Sequence, residues 1–163
     1  MAKLVANENC WIGVSDTPPQ NPSQPTVAEI TDAEDLTCYL ISLNAAAQGN
    51  TVPVPVLCSL FEQSVPGTSS ANFTADFYRD DEADIAWEML SRGSKLFFYV
   101  GRFGLSGTTA DGKPKPAAND KIEVWPVQVT SRSAGPLTSN QVQMFSMVGS
   151  VPAEPVEDAV VKA

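Results

Sequence analysis

A chain of 163 residues fits one domain and buries roughly two thirds of its unfolded surface in a core of its own, so no staple is required. Hydrophobic residues at 43% and charged residues at 18% describe a globular protein, and 13 prolines and 10 glycines spread between short apolar runs point to many turns and a mainly β fold. Lysine plus arginine number 10 against 19 acids, and the net charge of -9 repels nucleic-acid phosphates and anionic lipid, which excludes a sequence-reading nucleic-acid binder.

Taken in chain order, the first expected element is a strand from Glu8 to Ser15. Residues 16–26 then read as an exposed Pro-rich loop, because four prolines between Asp16 and Pro25 deny ladder donors. Leu36 to Leu43 and Val54 to Phe61 read as strands around a flexible Asn44 to Asn50. Pro53 and Pro55 push the start of the second toward an edge, and the whole suggests a reaching hairpin.

Ser69 to Gly93 is the most informative stretch. Phe73, Ala75 and Phe77 alternate with Asn72, Thr74 and Asp76, as a half-buried antiparallel strand requires, so the first three are assigned to the core. Asp80 or Asp81 is placed to accept from the free amides of a helix start, with Glu82 and Asp84 adding charge at the positive end of its dipole. Ala83, Ala86, Trp87 and Leu90, with Ile85 and Met89 beside them, form an apolar stripe, and Gly93 is assigned the left-handed C-cap. The reading is one short helix docked on a sheet.

Leu96 to Val100 is apolar on both faces and is read as a strand covered on both sides. Residues 103–119 carry three glycines and two prolines without periodicity and read as a loop of unusual length, functional or mobile. In Lys121 to Ser131 the apolar set shifts around Pro126, which a bulge or bend explains. Gln141 to Val151 closes the fold as a strand, and residues 152–163 have the proline and acid content of a C-terminal arm rather than a core element.

Chemistry-bearing motifs are few. The absence of histidine removes a serine triad or a histidine-based zinc site from this chain alone. The acids from Asp76 to Glu88 cluster as a solvated helix start does, and they lack the turn glycine of a calcium loop. Gly107 to Lys113 has phosphate-loop spacing, but Pro114 stands where Ser or Thr would hold magnesium. Asn72-Phe-Thr74 matches a glycosylation pattern with no secretion signal before it. Cys10, Cys38 and Cys58 sit in apolar runs and are read as reduced core residues. Trp11, Tyr39, Phe97, Tyr99 and Trp125 lie in strand contexts without a basic patch, which assigns them to core or subunit contacts. No run approaches the ~18 apolar residues that span a bilayer and no cleavable leader stands near the N-terminus, so folding in a cytoplasm with no membrane partner is expected.

Ser69 to Gly93, with Lys95-Leu-Phe-Phe-Tyr-Val-Gly-Arg102 after it, closely resembles the major tail protein, or tail tube protein, of long-tailed, non-contractile phages of actinobacteria. Asn9-Cys-Trp-Ile-Gly-Val-Ser15, Asp35-Leu-Thr-Cys-Tyr-Leu40, Val124-Trp-Pro-Val-Gln-Val-Thr-Ser-Arg132 and Val151-Pro-Ala-Glu-Pro-Val-Glu-Asp-Ala-Val160 extend the resemblance over nearly the whole chain. It implies a single tail-tube domain over 1–163, mainly β with one short α-helix: two packed β-sheets with a flanking helix, the inner sheets joining into a barrel in a hexameric ring. It implies a structural virion protein rather than an enzyme, with no cofactor and no catalytic residue, made in the host cytoplasm. Rings stack into a conduit through which DNA passes without specific binding, and the tape measure protein, tail terminator and distal tail protein are the implied partners.

On that reading Asp76 and Glu123, opposite the apolar faces of their strands, are candidate lumen-facing acids, and the helix acids face outward. The N-terminal segment, the 44–55 connection, the 103–119 loop and the C-terminal arm are candidate contacts between rings. A tube protein of a related injection or secretion apparatus and a monomeric β-sandwich binding module are the alternatives.

Overall fold

The computed structural model describes residues 9–58, 61 and 63–163. Among these, one antiparallel sheet carries almost all of the regular structure. Its path runs β2 (Glu34–Asp35), β1 (Trp11–Ser15), β5 (Lys95–Gly101), β8 (Lys121–Ala134), β9 (Met144–Ser150), β4 (Gln63–Tyr78) and β3 (Leu40–Val54), with β10 (Val156–Val160) also paired to β8. Two short helices, α1 (Val27–Asp32) and α2 (Ile85–Met89), and a small hairpin, β6 (Gly107–Thr108) with β7 (Pro114–Lys115), complete it. The mainly β fold read from the sequence is present, with one helix more than was expected.

The sheet folds back on itself along β8. The first half of that strand pairs with β5 from Glu123 to Gln128, and its second half pairs with β9 from Gln128 to Ala134. Strands β4 and β5 are not neighbours in the sheet, yet Phe73 meets Phe98 at a 4.6 Å ring separation and Trp125 at 6.0 Å. The two packed sheets therefore appear as facing halves of one coiled sheet. Phe73, Ala75 and Phe77 are buried between them as the alternation requires, along with Leu96, Phe98, Trp125, Val127 and Phe145. Gly149 lets β9 approach, since a Cβ there would stand 2.2 Å from Val127.

A second apolar cluster, Trp11, Ile30, Tyr99, Ile122, Val124, Ala159 and Val161, covers the opposite face of β1, β5 and β8. This explains why Leu96 to Val100 is apolar on both sides. It also explains the shift within β8: Ile122 and Val124 face this cluster whereas Trp125, Val127 and Val129 face the first. The register shift in β8 lies between Val129 and Ser131, not at Pro126.

Helix α1 begins at a capping box. The Thr26 hydroxyl accepts from the Glu29 amide, and the Glu29 carboxylate accepts from the Thr26 amide at 2.8 Å and from the Gln20 amide at 2.9 Å. The C-terminal residues pack beside it. Val156–Val160 pairs with β8, Ala159 and Val161 are buried, and Lys162 exchanges backbone bonds with Pro25 and Val27. The expected arm over 152–163 is thus largely a docked strand, because Ala159 and Val161 join Trp11, Ile30 and Ile122 in one buried apolar cluster. In the 103–119 loop the buried Asp120 accepts from the Ser106 amide and hydroxyl and from the Ala117 amide, each at 2.8 Å, and so pins the segment around the β6–β7 hairpin. Burial raises the Asp120 pKa, but these three donors outweigh it and leave the carboxyl below its ordinary value.

Several local expectations are corrected. Helix α2 starts at Ile85, after Asp84, rather than at Asp80 or Asp81. Arg79 clamps Asp84 at 2.5 Å and closes the 79–84 loop, while Asp80 accepts from the Glu82 amide in that loop and Asp81 stands exposed. Gly93 has the left-handed φ of 89°, but three residues past the C-cap Leu90, in the turn into β5. Asn44 to Asn50 is strand, not a flexible link. Of Val54 to Phe61, Leu57 and Cys58 are in the turn, and residues 59 and 60 lie outside the described residues, as does the N-terminal segment 1–8. Cys10 is half-buried, but Cys38 and Cys58 are exposed. Lys113 Nζ donates to Cys38 Sγ at 2.8 Å and ties the β6–β7 hairpin to the turn before β3.

Removing residues 156–163 uncovers Trp11, Tyr99, Ile122 and Val124. Urea denaturation should show a loss on the order of 3 kcal/mol or more, with red-shifted tryptophan emission. An unchanged midpoint would contradict the docked-strand reading.

Candidate assembly surfaces

The four strands β3, β4, β9 and the second half of β8 bury one face and leave the other to solvent. On the exposed face the register aligns Ser42, Asp76 and Ser146 across three strands. Asp76 accepts from the Ser146 hydroxyl at 2.6 Å and from the Ser42 hydroxyl at 2.7 Å. These two bonds, Ser146 first, hold its carboxyl below the ordinary value of 3.8 against partial burial. Asn72 and Thr74 continue the face along β4, and Ser133 stands opposite Ser146 on β8. No lysine or arginine occurs in β3, β4 or β9.

Glu123 is elsewhere. It sits on the same side of β8 as Trp125, whose indole N–H donates to it at 2.9 Å, and Arg102 pairs with it at 2.5 Å. The two candidate acids therefore do not share a surface. Arg102 is 21 residues from Glu123 in the chain, and only the β5–β8 pairing brings them together.

Both lateral edges of this four-stranded unit are open among the described residues. Strand β3 has β4 on one side and no strand on the other. It carries no charged residue along its 15 residues and no proline before Pro53. Native sheets blunt such an edge with charge, proline or a cover, and an uncharged run of this length is a template for pairing. On the far side, β5 stops pairing at Gln128, so Thr130 to Ala134 of β8 form the second open edge. Four antiparallel strands place β3 and β8 in opposite directions.

The hairpin continues past the sheet. Pairing with β9 ends at Asn72, but β3 and β4 run on from Ala47 opposite Ala71 to Val54 opposite Gln63. A register shift between Gly49 and Thr51 redirects this two-stranded outer part, which exposes Val52, Val54, Leu57 and Val65. An isolated two-stranded ribbon is marginal in water.

The family model described as "Phage tail tube protein" matches residues 1–163, and the chain belongs to that family. No curated protein sequence matches the chain. Among solved structures, a chain from the virion of a native gene transfer agent particle is similar with a TM-score of 0.55 at 12% identity, covering 94% of this chain and 98% of that one. A chain of the tail of an empty particle of that kind, refined with C6 symmetry, is similar with a TM-score of 0.55 at 14% identity, over 96% and 100%. The six-fold symmetrised baseplate of the anti-feeding prophage contains a third, at 0.55 and 6% identity, over 95% of each chain. These likenesses are of fold. The chain is a structural tail tube protein, a component of the virion tail.

Because the folded-state pKa of Asp76 is the lower one, the stability its ionisation contributes is complete above about pH 4 and is lost as pH falls through that folded value. Carboxyl NMR titration should place Asp76 below 3.8, with Ser146→Ala raising it more than Ser42→Ala. A value at or above 3.8 in the unaltered protein would contradict the serine clasp.

Proposed function

We propose that six copies close a ring by pairing β3 of one copy with the second half of β8 in the next, and that stacked rings form the tail tube through which DNA is delivered. The observation that carries this reading is the pair of open edges on one four-stranded unit. An even number of antiparallel strands per copy leaves β3 and β8 antiparallel across a rotational interface, so the ladder continues without a change of pairing type. Closure removes both edges at once, as it does in any barrel. A monomeric binding module would leave them unpaired. The gene transfer agent tail with C6 symmetry supports the choice of six.

In such a ring the face bearing Ser42, Asp76 and Ser146 lines the lumen. It presents hydroxyls and amides, the exposed apolar Val148 and Met144, one clasped carboxylate per copy, and no cation from β3, β4 or β9. Phosphates find no counter-charge there, so DNA passes without adhering. Glu123, paired with Arg102, does not contribute to this wall. The role is structural, without catalysis. The sequence resemblance supports a long-tailed, non-contractile phage of actinobacteria, with a tape measure protein inside the tube and terminator and distal tail proteins at its ends.

Cysteines scanned through residues 42–48 and paired with Ser131→Cys should give disulfide-closed six-copy rings on oxidation, and a monomer that never cross-links at high concentration would contradict the proposal. Asp76→Lys in the virion should leave tubes intact while slowing DNA delivery. Normal infectivity with intact tubes would remove Asp76 from the lumen.

A further inference from the structure

Cys38 and Lys113 are 75 residues apart in the chain, and the fold sets the Lys113 Nζ on the Cys38 Sγ at 2.8 Å. Both residues are exposed, and both stand on turns that the backbone holds. Cys38 lies in the turn before β3, where the Tyr39 amide donates to the Leu36 carbonyl and the Thr37 amide to the Asp35 carboxylate. Lys113 closes the β6–β7 hairpin: its amide donates to the Thr109 hydroxyl, its carbonyl accepts from the Thr109 amide at 2.8 Å, and Gly112 before it takes a left-handed φ of 77°. The pair lines an open depression shared with Asp35, Tyr39 and Asp111, so small solutes reach the sulfur. Among the described residues, Cys38 is the cysteine that has a lysine nitrogen on its sulfur.

We propose that Cys38 Sγ and Lys113 Nζ are the two ends of an oxidative cross-link, a sulfenamide bond that forms when the protein meets a peroxide. The Cys38 thiolate attacks one oxygen of hydrogen peroxide, the O–O bond breaks, hydroxide leaves, and the sulfur becomes a sulfenic acid. The Lys113 amine then attacks that sulfur. The S–N bond forms, the S–O bond breaks, and the oxygen leaves with a proton of the amine as water. Thiol, amine and peroxide thus give the link and two waters, the sulfur losing two electrons and the peroxide gaining them.

Geometry favours the amine over a second peroxide, because it is already at the sulfur and reacts as part of the same molecule. The hydrogen bond to Cys38 raises the Lys113 pKa, with Asp111 and Asp35 adding to it. A neutral sulfenic acid no longer supplies that first cause, so oxidation of the sulfur itself helps to free the amine. Cytoplasmic thiols keep such a pair reduced, whereas the surface of a released virion meets oxidants. The link ties the β6–β7 hairpin to the start of β3. It needs one copy of the chain, so its failure leaves the ring reading standing and the ring's failure leaves the link standing.

The test treats dilute Cys58→Ser protein, which lacks the other exposed thiol, with hydrogen peroxide and maps the products by mass spectrometry without reductant. The peptides containing Cys38 and Lys113 should be joined, about 2 Da lighter than their sum, and dithiothreitol should restore both. The thermal midpoint should rise by about 5 °C or more on oxidation, as for a cross-link that closes a long loop. Adding Lys113→Arg keeps a cation at the position but should abolish the link and the rise, leaving Cys38 to go on to sulfinic acid. Four results would each overturn the proposal: an unreacted Cys38, sulfinic acid at Cys38 beside a free Lys113, a disulfide from Cys38 to a second cysteine, or the same loss of 2 Da at Cys38 in the Lys113→Arg protein.

Discussion

Phe73 lies against Phe98 and Trp125, and that contact turns one antiparallel sheet into two facing halves. Everything on the assembly side follows from it. Once the apolar face of β4 is committed to this core, its other face can only be Asn72, Thr74 and Asp76, and the whole β3–β4–β9 surface must face water or a lumen. Folding at β8 also separates the ends of the sheet. One end is blunted by the two-residue β2, and β3 is left as a long edge with nothing beyond it.

The other layer serves stability rather than assembly. α1, the C-terminal strand and the Asp120 turn seal the outer face of β1, β5 and β8 over Trp11 and Tyr99. Charge follows the same division. Acidic and basic side chains concentrate on the sealed half, its helices and connections, while the hairpin and β9 are almost free of them. On the proposed ring, repulsion between like-charged copies is thereby kept away from the paired β3 and β8 edges.

The sequence made the core of this arrangement legible where a simple period operates. Phe73, Ala75 and Phe77 alternate cleanly, and Leu96 to Val100 shows its double burial as an unbroken apolar run. Asn44 to Asn50 misled because small and polar residues carry weak strand propensity, and pairing with β4 overrides it. The C-terminal strand misled because Glu157 and Asp158 face water and only Ala159 and Val161 mark the buried side. Thr26 and Glu29 form a T-x-x-E capping box that announces α1, a signal hidden beside the prolines before it. At the candidate site, the outward position of Asp76 followed from its strand period, whereas its serine clasp and the Arg102 partner of Glu123 depend on contacts distant in sequence. Asp84 displaced Asp80 and Asp81 at the helix start because Arg79 holds it there, which spacing alone does not encode.

The central claim is that β3 and the end of β8 are edges completed only by other copies. Amide hydrogen exchange in the isolated subunit and in assembled tubes tests it most directly. In the subunit, the outward-facing amides between Leu40 and Asn50 and between Thr130 and Ala134 should exchange rapidly while their β4-facing and β9-facing neighbours are protected. In tubes, both sets should become protected together. Edge amides that exchange equally fast in subunit and tube would show that the ring closes by some other contact.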